Sequence, residues 1–428
     1  MTTDINVINA NWKKPFFLIW AGQAFSLLGS LLVQFALVWW LTRTTGSATV
    51  LAGATLVALL PEVFLGPFAG ALVDRWNRKR VMIVADAAIA LVTLGLAILF
   101  WQGTIQVWHV YVALFIRSLG SSFHWPAMQA STSLMVPDEQ LARISGLNQA
   151  LRGGMAIIAP PLGALLMDVL PIYGVLSVDI LTALIAIIPL FIVSIPQPKA
   201  VAVQEVVTPK RLWQDIVQGA HFLATWPGAI SLVLLASFLN FLLAPSGTLM
   251  PLLVKNYFNG TAWHLSALEA AMGIGIVIGG LVLGAWGGFK KRIITSLSGV
   301  VGIGLGVMLT GMVPNNLFYL AVGGAALMGF MSPIANGPLH AIMQSKVPAE
   351  MQWRVFTLIG SACSAMMPIS MLVAAPIAEW LGVRAWFLIG GGVTILMGSA
   401  AFMNSKILSI EGERTVKKME PAPAEIIE

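Results

Sequence analysis

Charged residues are scarce in this sequence. Lysine and arginine number 24 and aspartate and glutamate 18, which together make 10% of the 428 residues. A soluble domain carries about 25% charged residues, so this chain cannot cover a surface that faces water. The scarcity excludes an ordinary soluble protein, and the 58% of residues that are hydrophobic indicate that lipid surrounds most of the chain.

Cysteine is nearly absent, and the motifs of several catalytic classes are missing. The single cysteine, Cys363, excludes an internal disulfide. No G-x-x-x-x-G-K-[ST] pattern occurs, so the sequence has no Walker A site. His124 and His340 have no further ligand at metal-binding spacing, and we expect neither a metal nor a cofactor. Without convergent Ser/His pairs, paired aspartates or a selectivity filter, an intramembrane enzyme or a channel is the weaker alternative.

Long apolar runs fill most of the sequence. A helix needs about 20 mostly apolar residues to span a bilayer. Helices are required because lipid offers no partner for backbone amides, and these runs are too long and too uniformly apolar for barrel strands. We therefore predict an all-α polytopic membrane protein with about 12 transmembrane helices, at 16–41, 49–73, 81–101, 108–135, 141–168, 173–195, 228–254, 263–288, 292–313, 317–345, 354–380 and 385–404.

Lysine and arginine concentrate on one side of these spans. With both termini in the cytoplasm, 19 of the 24 lie on the inner side, three on the outer side and two, Arg117 and Arg152, within spans. Such clusters set membrane orientation, so the net charge of +6 does not indicate nucleic acid as a partner. We expect an even number of spans with both termini cytoplasmic.

The longest polar interruption divides the spans into two sets of six. It contains KRLWQDIVQGAHFLATWP, in which Trp213, Ile216, Val217, Ala220 and Leu223 recur at helical spacing. This pattern predicts an amphipathic helix on the cytoplasmic surface. The predicted organisation is a six-helix half at 1–195, a linker at 196–226, a second half at 227–404 and a cytoplasmic tail at 405–428.

Two pairs of stretches repeat in nearly the same register. VPDEQLAR at 136–143 and VPAEMQWR at 347–354 share the pattern V-P-x-E-x-x-x-R, 211 residues apart, and RKR at 78–80 recurs as KKR at 290–292, 212 residues apart. Each pair follows the same-numbered helix of its half. The sequence therefore predicts an internal duplication into two pseudo-symmetric halves, an architecture of secondary transporters with the substrate site between the halves.

Three stretches of the first half combine glycine, proline and charge in distinctive patterns. Span 4 contains LFIRSLGSS, with Arg117 and Gly120, and span 5 contains AIIAPPLGA at 156–164. The strongest pattern lies in GPFAGALVDRWNRKRV, between spans 2 and 3, and reads Gly70-x-x-x-Asp74-Arg75-x-x-Arg78-Lys79-Arg80. Together these stretches resemble the major facilitator superfamily, above all its drug:proton antiporter branch with macrolide-efflux proteins and siderophore exporters.

The resemblance covers nearly the whole chain and implies the major facilitator fold. It implies a secondary active transporter, not an enzyme, which exports lipophilic compounds of macrolide or multidrug type by proton-coupled alternating access. A lysophospholipid or siderophore transporter, or an importer, is the alternative within the same fold. The implied partners are the lipid bilayer, a lipophilic small molecule and protons, and the chain is expected to be a monomer in the bacterial cytoplasmic membrane.

The resemblance assigns a gate to the loop between spans 2 and 3. Asp74 and Arg75 can form a breakable latch between cytoplasmic helix ends when the transporter faces outward. Three further residues are assigned to the gating network: Gly70, Arg78 and Asp86. The alternative is that the basic cluster only anchors the orientation. The second-half copy carries Trp286 at the position of the latch carboxylate, so only the first loop can use an acid.

Ionisable residues within the spans are the candidates for proton coupling. A charge at mid-bilayer costs at least about 2.5 kcal/mol, so each one needs a partner or a task. We predict that Glu62 or Asp179 takes up and releases a proton and that Arg117 modulates its affinity, because burial and a nearby arginine act in opposite directions on a carboxyl group. A static Glu–Arg pair that only fixes helix packing is the alternative.

A polar row on span 1 predicts part of the substrate site. Its members follow one another in steps of three, four and four residues, which places them on one helix face: Gln23, Ser26, Ser30 and Gln34. Lipid is a poor environment for that face, so we expect it to line a central cavity, although small polar residues also mediate helix packing. Three more residues are assigned to the substrate site: Arg152, Asn240 and Asn336.

Overall fold

A computed structural model gives the structure of residues 12–195, 218 and 221–412, without the side chains at 66–68, 70, 71, 74, 75, 349, 350 and 353. A π-helical turn, Leu253–Tyr257, continues the seventh helix, and a short 3₁₀ turn, Asn315–Leu317, precedes the tenth. The long helices in the described ranges are α1 (Lys13–Thr45), α2 (Ala48–Arg75), α3 (Arg78–Trp101), α4 (Val107–Met135), α5 (Asp138–Val169), α6 (Ile172–Ile192), α7 (Pro227–Leu252), α8 (Ala262–Trp286), α9 (Arg292–Met312), α10 (Phe318–Lys346), α11 (Ala349–Leu381) and α12 (Val383–Ala401), followed by the short α13 (Ser405–Leu408).

Local sequence sets where these helices end. Gly46 ends α1 with φ 62°, a left-handed conformation that glycine adopts without strain, and its amide donates to the carbonyl of Thr42. The next helix starts at once because the side chain of Ser47 accepts a hydrogen bond from a backbone amide in the first turn of α2. Asn77 caps α3 in the same way. Short turns of this kind let consecutive helices run antiparallel.

The helices are suited to a bilayer by length and composition. Eleven of them, within the described residues, are long and apolar enough to cross a membrane. The predicted span at 108–135 is also present as a helix of 29 residues, α4, but its serine, threonine, histidine and arginine residues keep it out of that set. The prediction of an all-α polytopic membrane protein is confirmed.

The two sets of six helices pack in the same way. In the first half, α1 packs against α5 and α6, α2 against α4, and α3 against α4 and α6. In the second half, α7 packs against α11 and α12, α8 against α10, and α9 against α10 and α12. Each of these five pairings recurs with each helix number raised by six, as expected for a duplicated six-helix unit. The predicted pseudo-symmetric fold is therefore confirmed.

Among the described residues, the two halves share a hydrophobic cluster near one face of the bundle and have separate clusters near the other. We call the face where α1 begins and α12 ends the terminal face, and the opposite face, which carries the turn between α1 and α2, the loop face. One hydrophobic cluster near the loop face contains residues of both halves, such as Leu37 and Leu249. At the terminal face the buried residues divide into a first-half cluster with Met82 and a second-half cluster with Ile293.

The linker is described only at its end. Residues 196–217, 219 and 220, with most of the predicted amphipathic face, lie outside the described residues. Phe222, Leu223 and Trp226 are buried in the second-half cluster of the terminal face. This end of the linker therefore packs on the second half.

Candidate functional site

A cavity of about 380 Å³ lies between helices of the first half, on the side of the terminal face. Its walls come from α1, α3, α4 and α5, and its volume falls within the roughly 300–1,000 Å³ of pockets that bind drug-sized molecules. The polar character of α4 has its explanation here, because this helix contributes a polar and aromatic wall. The lining residues from α4 are Ser121, His124, Trp125, Met128, Gln129, Thr132 and Ser133.

Asp86 is the one carboxylate among the described residues that line the cavity. It is 4% exposed, and its Oδ2 accepts a hydrogen bond of 3.1 Å from Nε2 of Gln23. Its Oδ1 lies 3.4 Å from Nε2 of His124, a distance that suits an ion pair when the imidazole is protonated. The arrangement can hold a positive charge inside the cavity.

A second buried ion pair lies next to the cavity. Nη1 of Arg117 on α4 contacts Oδ2 of Asp179 on α6 at 2.6 Å, and Asp179 is 1% exposed. Thr93 on α3 donates to the same carboxylate oxygen at 3.0 Å, and Ser30 on α1 donates to the other oxygen at 3.3 Å. Arg117 also donates to the Thr93 hydroxyl. The pair thus joins four helices through one carboxylate.

Gly29 on α1 permits this close contact between α1 and α6 because it has no side chain. At Gly29 a Cβ atom would collide with Oγ1 of Thr182 and would lie 3.0 Å from Oδ1 of Asp179. Glycine therefore brings α1 against α6 at the buried carboxylate. No feature of the local sequence around Gly29 indicates this contact, because it depends on which helix packs opposite.

Of the two predicted proton carriers, the structure brings only Asp179 to Arg117. Glu62, halfway along α2, is exposed and makes no hydrogen bond or ion pair with any described residue. The static pair considered for Arg117 is thus an Asp–Arg pair and not a Glu–Arg pair. Its exposure depends on which faces of α2 other helices cover, and sequence position alone does not specify this.

The predicted polar row on α1 divides between two environments. Gln23, Ser26 and Ser30 line the cavity, and Ser30 also contacts Asp179. Gln34 is exposed and does not line this cavity. Gln34 lies one helical turn beyond Ser30, nearer the loop face.

The other predicted substrate residues lie outside the cavity wall. Arg152 on α5 is exposed, and its guanidinium stacks 3.7 Å from the ring centre of Trp125. Asn240 and Asn336 are exposed and donate to backbone carbonyls one turn earlier in their own helices, at 2.9 and 3.0 Å. All the described residues that line this cavity belong to the first half, so the assignment of Asn240 and Asn336 to a substrate site stays a prediction.

The predicted gating residues also lie in different environments. Arg78, at the start of α3, is buried and donates from Nη1 to the carbonyl of Ala130 on α4 at 2.9 Å. Asp86 lies two turns further along α3, in the cavity wall beside Gln23 and His124, and not in the loop. Gly70, Asp74 and Arg75 belong to α2, but their side-chain surroundings lie outside the described part of the structure, so the latch stays a prediction.

Charged residues at the loop face, to which the sequence assigned no role, join the two halves. Lys255, just after α7, donates to the carbonyl of Thr42 at the end of α1 at 2.9 Å and to the following carbonyl at 3.0 Å. Glu379, near the end of α11, accepts from Oγ of Ser47 at 2.7 Å and from the amide of Thr49 at 3.0 Å. We call these four contacts the loop-face clasp. In the sequence, Lys255 and Glu379 stand out only as isolated charged residues beside predicted helix ends.

Comparisons with known proteins agree with this architecture. Residues 19–369 match the Major Facilitator Superfamily. Macrolide efflux protein A of Streptococcus pyogenes is 37% identical over 401 residues, which cover 94% of this chain and 98% of that protein. The multidrug efflux pump Tap of Mycolicibacterium fortuitum is 24% identical over 413 residues, covering 93% and 98%. A crystal structure of a variant of the nucleoside transporter NupG has the same fold, with a TM-score of 0.70 at 14% identity, and covers 92% of this chain and 99% of that one.

Sequence relatives and fold lead to one family. The matched residues span most of the chain, and the relatives are transporters and not enzymes. A multi-pass bundle of this kind lies in a lipid bilayer and acts on a small-molecule substrate. The chain belongs to the Major Facilitator Superfamily.

Proposed function

We propose that the chain exports lipophilic, drug-like compounds of macrolide type from the cytoplasm in exchange for protons. The identity of 37% to Macrolide efflux protein A over 94% of the chain carries this proposal. We assign both termini, and therefore the terminal face, to the cytoplasm of a bacterium because lysine and arginine concentrate on that side. The chain acts as a monomer in the cytoplasmic membrane.

Alternating access accounts for the way the halves meet. The clasp and the shared hydrophobic cluster close the loop face, whereas the terminal-face clusters belong to separate halves. With the terminal face in the cytoplasm, this arrangement is an inward-open state. Rocking of the halves about the substrate site would close the terminal face and open the clasp, which releases the substrate outside. The latch of Asp74 and Arg75 belongs to that second state.

Proton coupling is assigned to the pair of Arg117 and Asp179. Both side chains are buried, and the pair holds α1, α3, α4 and α6 together through Ser30 and Thr93. Protonation of Asp179 removes its attraction to Arg117, so the four helices can rearrange together. A proton taken up outside and released inside would return the transporter to its inward-open state.

Accumulation of radiolabelled erythromycin tests the proposal in a macrolide-susceptible bacterial host without its own efflux pumps. Cells that express the chain are expected to accumulate less drug than vector controls, and a protonophore should restore accumulation. Equal accumulation with and without the chain contradicts macrolide export. Export that persists with the protonophore contradicts proton coupling, and export only of a lysophospholipid or a siderophore supports the alternative transporters.

A further inference from the structure

The cavity contains a charge site that the Arg117–Asp179 pair does not explain. Asp86 and His124 are the two ionisable residues among the described residues that line the cavity. The carboxylate of Asp86 is removed from water but has one hydrogen bond, from Gln23, and one imidazole neighbour at 3.4 Å. Nε2 of His124 is itself shielded from solvent and has no aligned hydrogen bond in the described structure. A buried carboxylate with so few partners requires a positive charge nearby.

No lysine or arginine lines the cavity within the described residues. Arg117, on the same helix as His124, is held by Asp179 on α6, and Arg152 on α5 stacks on Trp125 outside the lining. The side chains of Asp74 and Arg75 on α2 are not described. The other charged groups on the helices around the cavity are Lys13, Lys14 and Arg43 on α1, Glu62 on α2, Arg78, Lys79 and Arg80 on α3, and Asp138, Glu139, Arg143 and Asp168 on α5.

The rest of the wall is suited to a large organic group. Trp20 provides aromatic surface and is fixed by a hydrogen bond of 2.7 Å from its Nε1 to Oδ1 of Asn148, whereas one face of the Trp125 ring already carries the guanidinium of Arg152. Aromatic rings beside a carboxylate attract organic cations through both the ring quadrupole and the charge. Leu27, Met128 and Leu141 add apolar contact.

We propose that this cavity binds the cationic nitrogen of a lipophilic amine, with Asp86 as its counter-ion and protonated His124 as its competitor. The proposal deepens the transport function above, on which it rests, and names the charge class of the substrate. When His124 is protonated, it pairs with Asp86 and leaves the site neutral. When an organic cation contacts Asp86, the imidazole is neutral and its proton has left to solvent. The cation and the proton therefore exclude each other.

Equilibrium dialysis with tetraphenylphosphonium tests the binding site on the purified full chain in lipid nanodiscs. This probe carries a permanent positive charge, so any pH dependence comes from the protein. Asp86→Asn should weaken binding about tenfold or more, because it removes a charged partner of the cation. Asp86→Glu keeps the charge and should retain most of the affinity. Asp138→Asn, the same change on an exposed residue outside the cavity, is the matched control and should bind like the wild type.

The pH dependence tests the competitor. Wild-type affinity should rise with pH as His124 loses its proton. His124→Gln keeps a polar side chain and should bind equally well at every pH. A pH dependence that persists in His124→Gln overturns the role of His124.

The outcomes separate this inference from the transport function. A wild-type chain that does not bind tetraphenylphosphonium, or a folded Asp86→Asn variant with wild-type affinity, overturns the cation site, and thermal unfolding of each variant establishes that it is folded. Failure of erythromycin export in cells overturns the transport proposal instead. The two measurements are independent because binding to nanodiscs requires no transport.

Discussion

Glu379 on α11 caps the first turn of α2 across the two halves, with its Oε1 2.7 Å from Oγ of Ser47 and 3.0 Å from the backbone nitrogen of Thr49. Lys255 makes the complementary contact at the end of α1. A helix carries partial positive charge at its N-terminus and partial negative charge at its C-terminus, so an acid at the first and a cation at the second are both stabilising. The second half thus supplies a negative charge at the start of α2 and a positive charge at the end of α1.

Removal of the clasp should shift the protein toward a state that is open at the loop face. In the double variant Lys255→Met, Glu379→Gln, the free energy that favours the closed loop face should fall by about 1 kcal/mol in total. The effect is this small because each contact is near the surface. This corresponds to a shift of a few-fold in the ratio of the two states. Pulsed EPR distances between spin labels at positions 104 and 315, in a cysteine-free background, measure the opening.

Glu139→Gln is the matched control for the clasp, since Glu139 is exposed at the start of α5 on the terminal face. It should leave the distance distribution unchanged. Identical distributions in the wild type and the clasp variant would show that the clasp does not hold the loop face closed.

The buried pair should affect stability and coupling in different ways. Asp179→Asn leaves Arg117 buried without its counter-charge and should cost about 3–5 kcal/mol of stability. Arg117→Met combined with Asp179→Leu removes both charges and should recover most of that loss, yet export driven by a pH gradient should cease. Thermal unfolding and transport in proteoliposomes measure the two effects. Export that still follows the pH gradient in the double variant contradicts a coupling role for the pair.

Gly29 should tolerate no side chain, in contrast to Gly95. A methyl group at Gly29 forces α1 away from α6 at Thr182 and should destabilise the protein by about 1–3 kcal/mol. At Gly95 on α3 a methyl group meets nothing within 4 Å, so Gly95→Ala should be neutral or stabilise the helix by up to about 1 kcal/mol. Thermal unfolding compares the two variants. Equal stability would argue against close contact between α1 and α6 at Gly29.

The latch predicted at Asp74 is tested by transport. Asp74→Asn removes the charge of the proposed partner of Arg75 and should lower the rate of drug export about tenfold or more, because charged hydrogen bonds contribute more than neutral ones. Glu139→Gln serves again as the control on the same face. Normal membrane insertion of Asp74→Asn together with a native export rate would refute the latch.

The helices could be located from sequence because each is specified by its own residues. The predicted span at 173–195 corresponds to Ile172–Ile192, and the one at 354–380 to Ala349–Leu381. Apolar length, caps such as Ser47 and the prolines 137 and 348 before α5 and α11 act locally. Several helices continue beyond the predicted spans because a helix does not have to end where its apolar residues end.

The candidate site was only partly predictable. Gln23, Ser26 and Ser30 were found because their spacing follows one helix, and Arg117 and Asp179 because charge in a span requires a partner. The pairing of Asp86 with His124 was not found, since these residues lie on different helices, 38 positions apart. Asn240 and Asn336 do not line this cavity, and composition could not show this because it does not reveal which face of a helix another helix covers.

The sequence by itself determined that the chain is a membrane-embedded bundle of duplicated halves, because hydropathy and charge bias depend on residues close together in the chain, and the repeats are visible when its two parts are compared. Only the tertiary structure decided which acid contacts Arg117, where the cavity lies and which face is closed. Those features depend on contacts between helices distant in sequence, such as Ser30 with Asp179 and Glu379 with Ser47. The direction of each side chain in such contacts is set by the packing of the whole bundle, which no local pattern records.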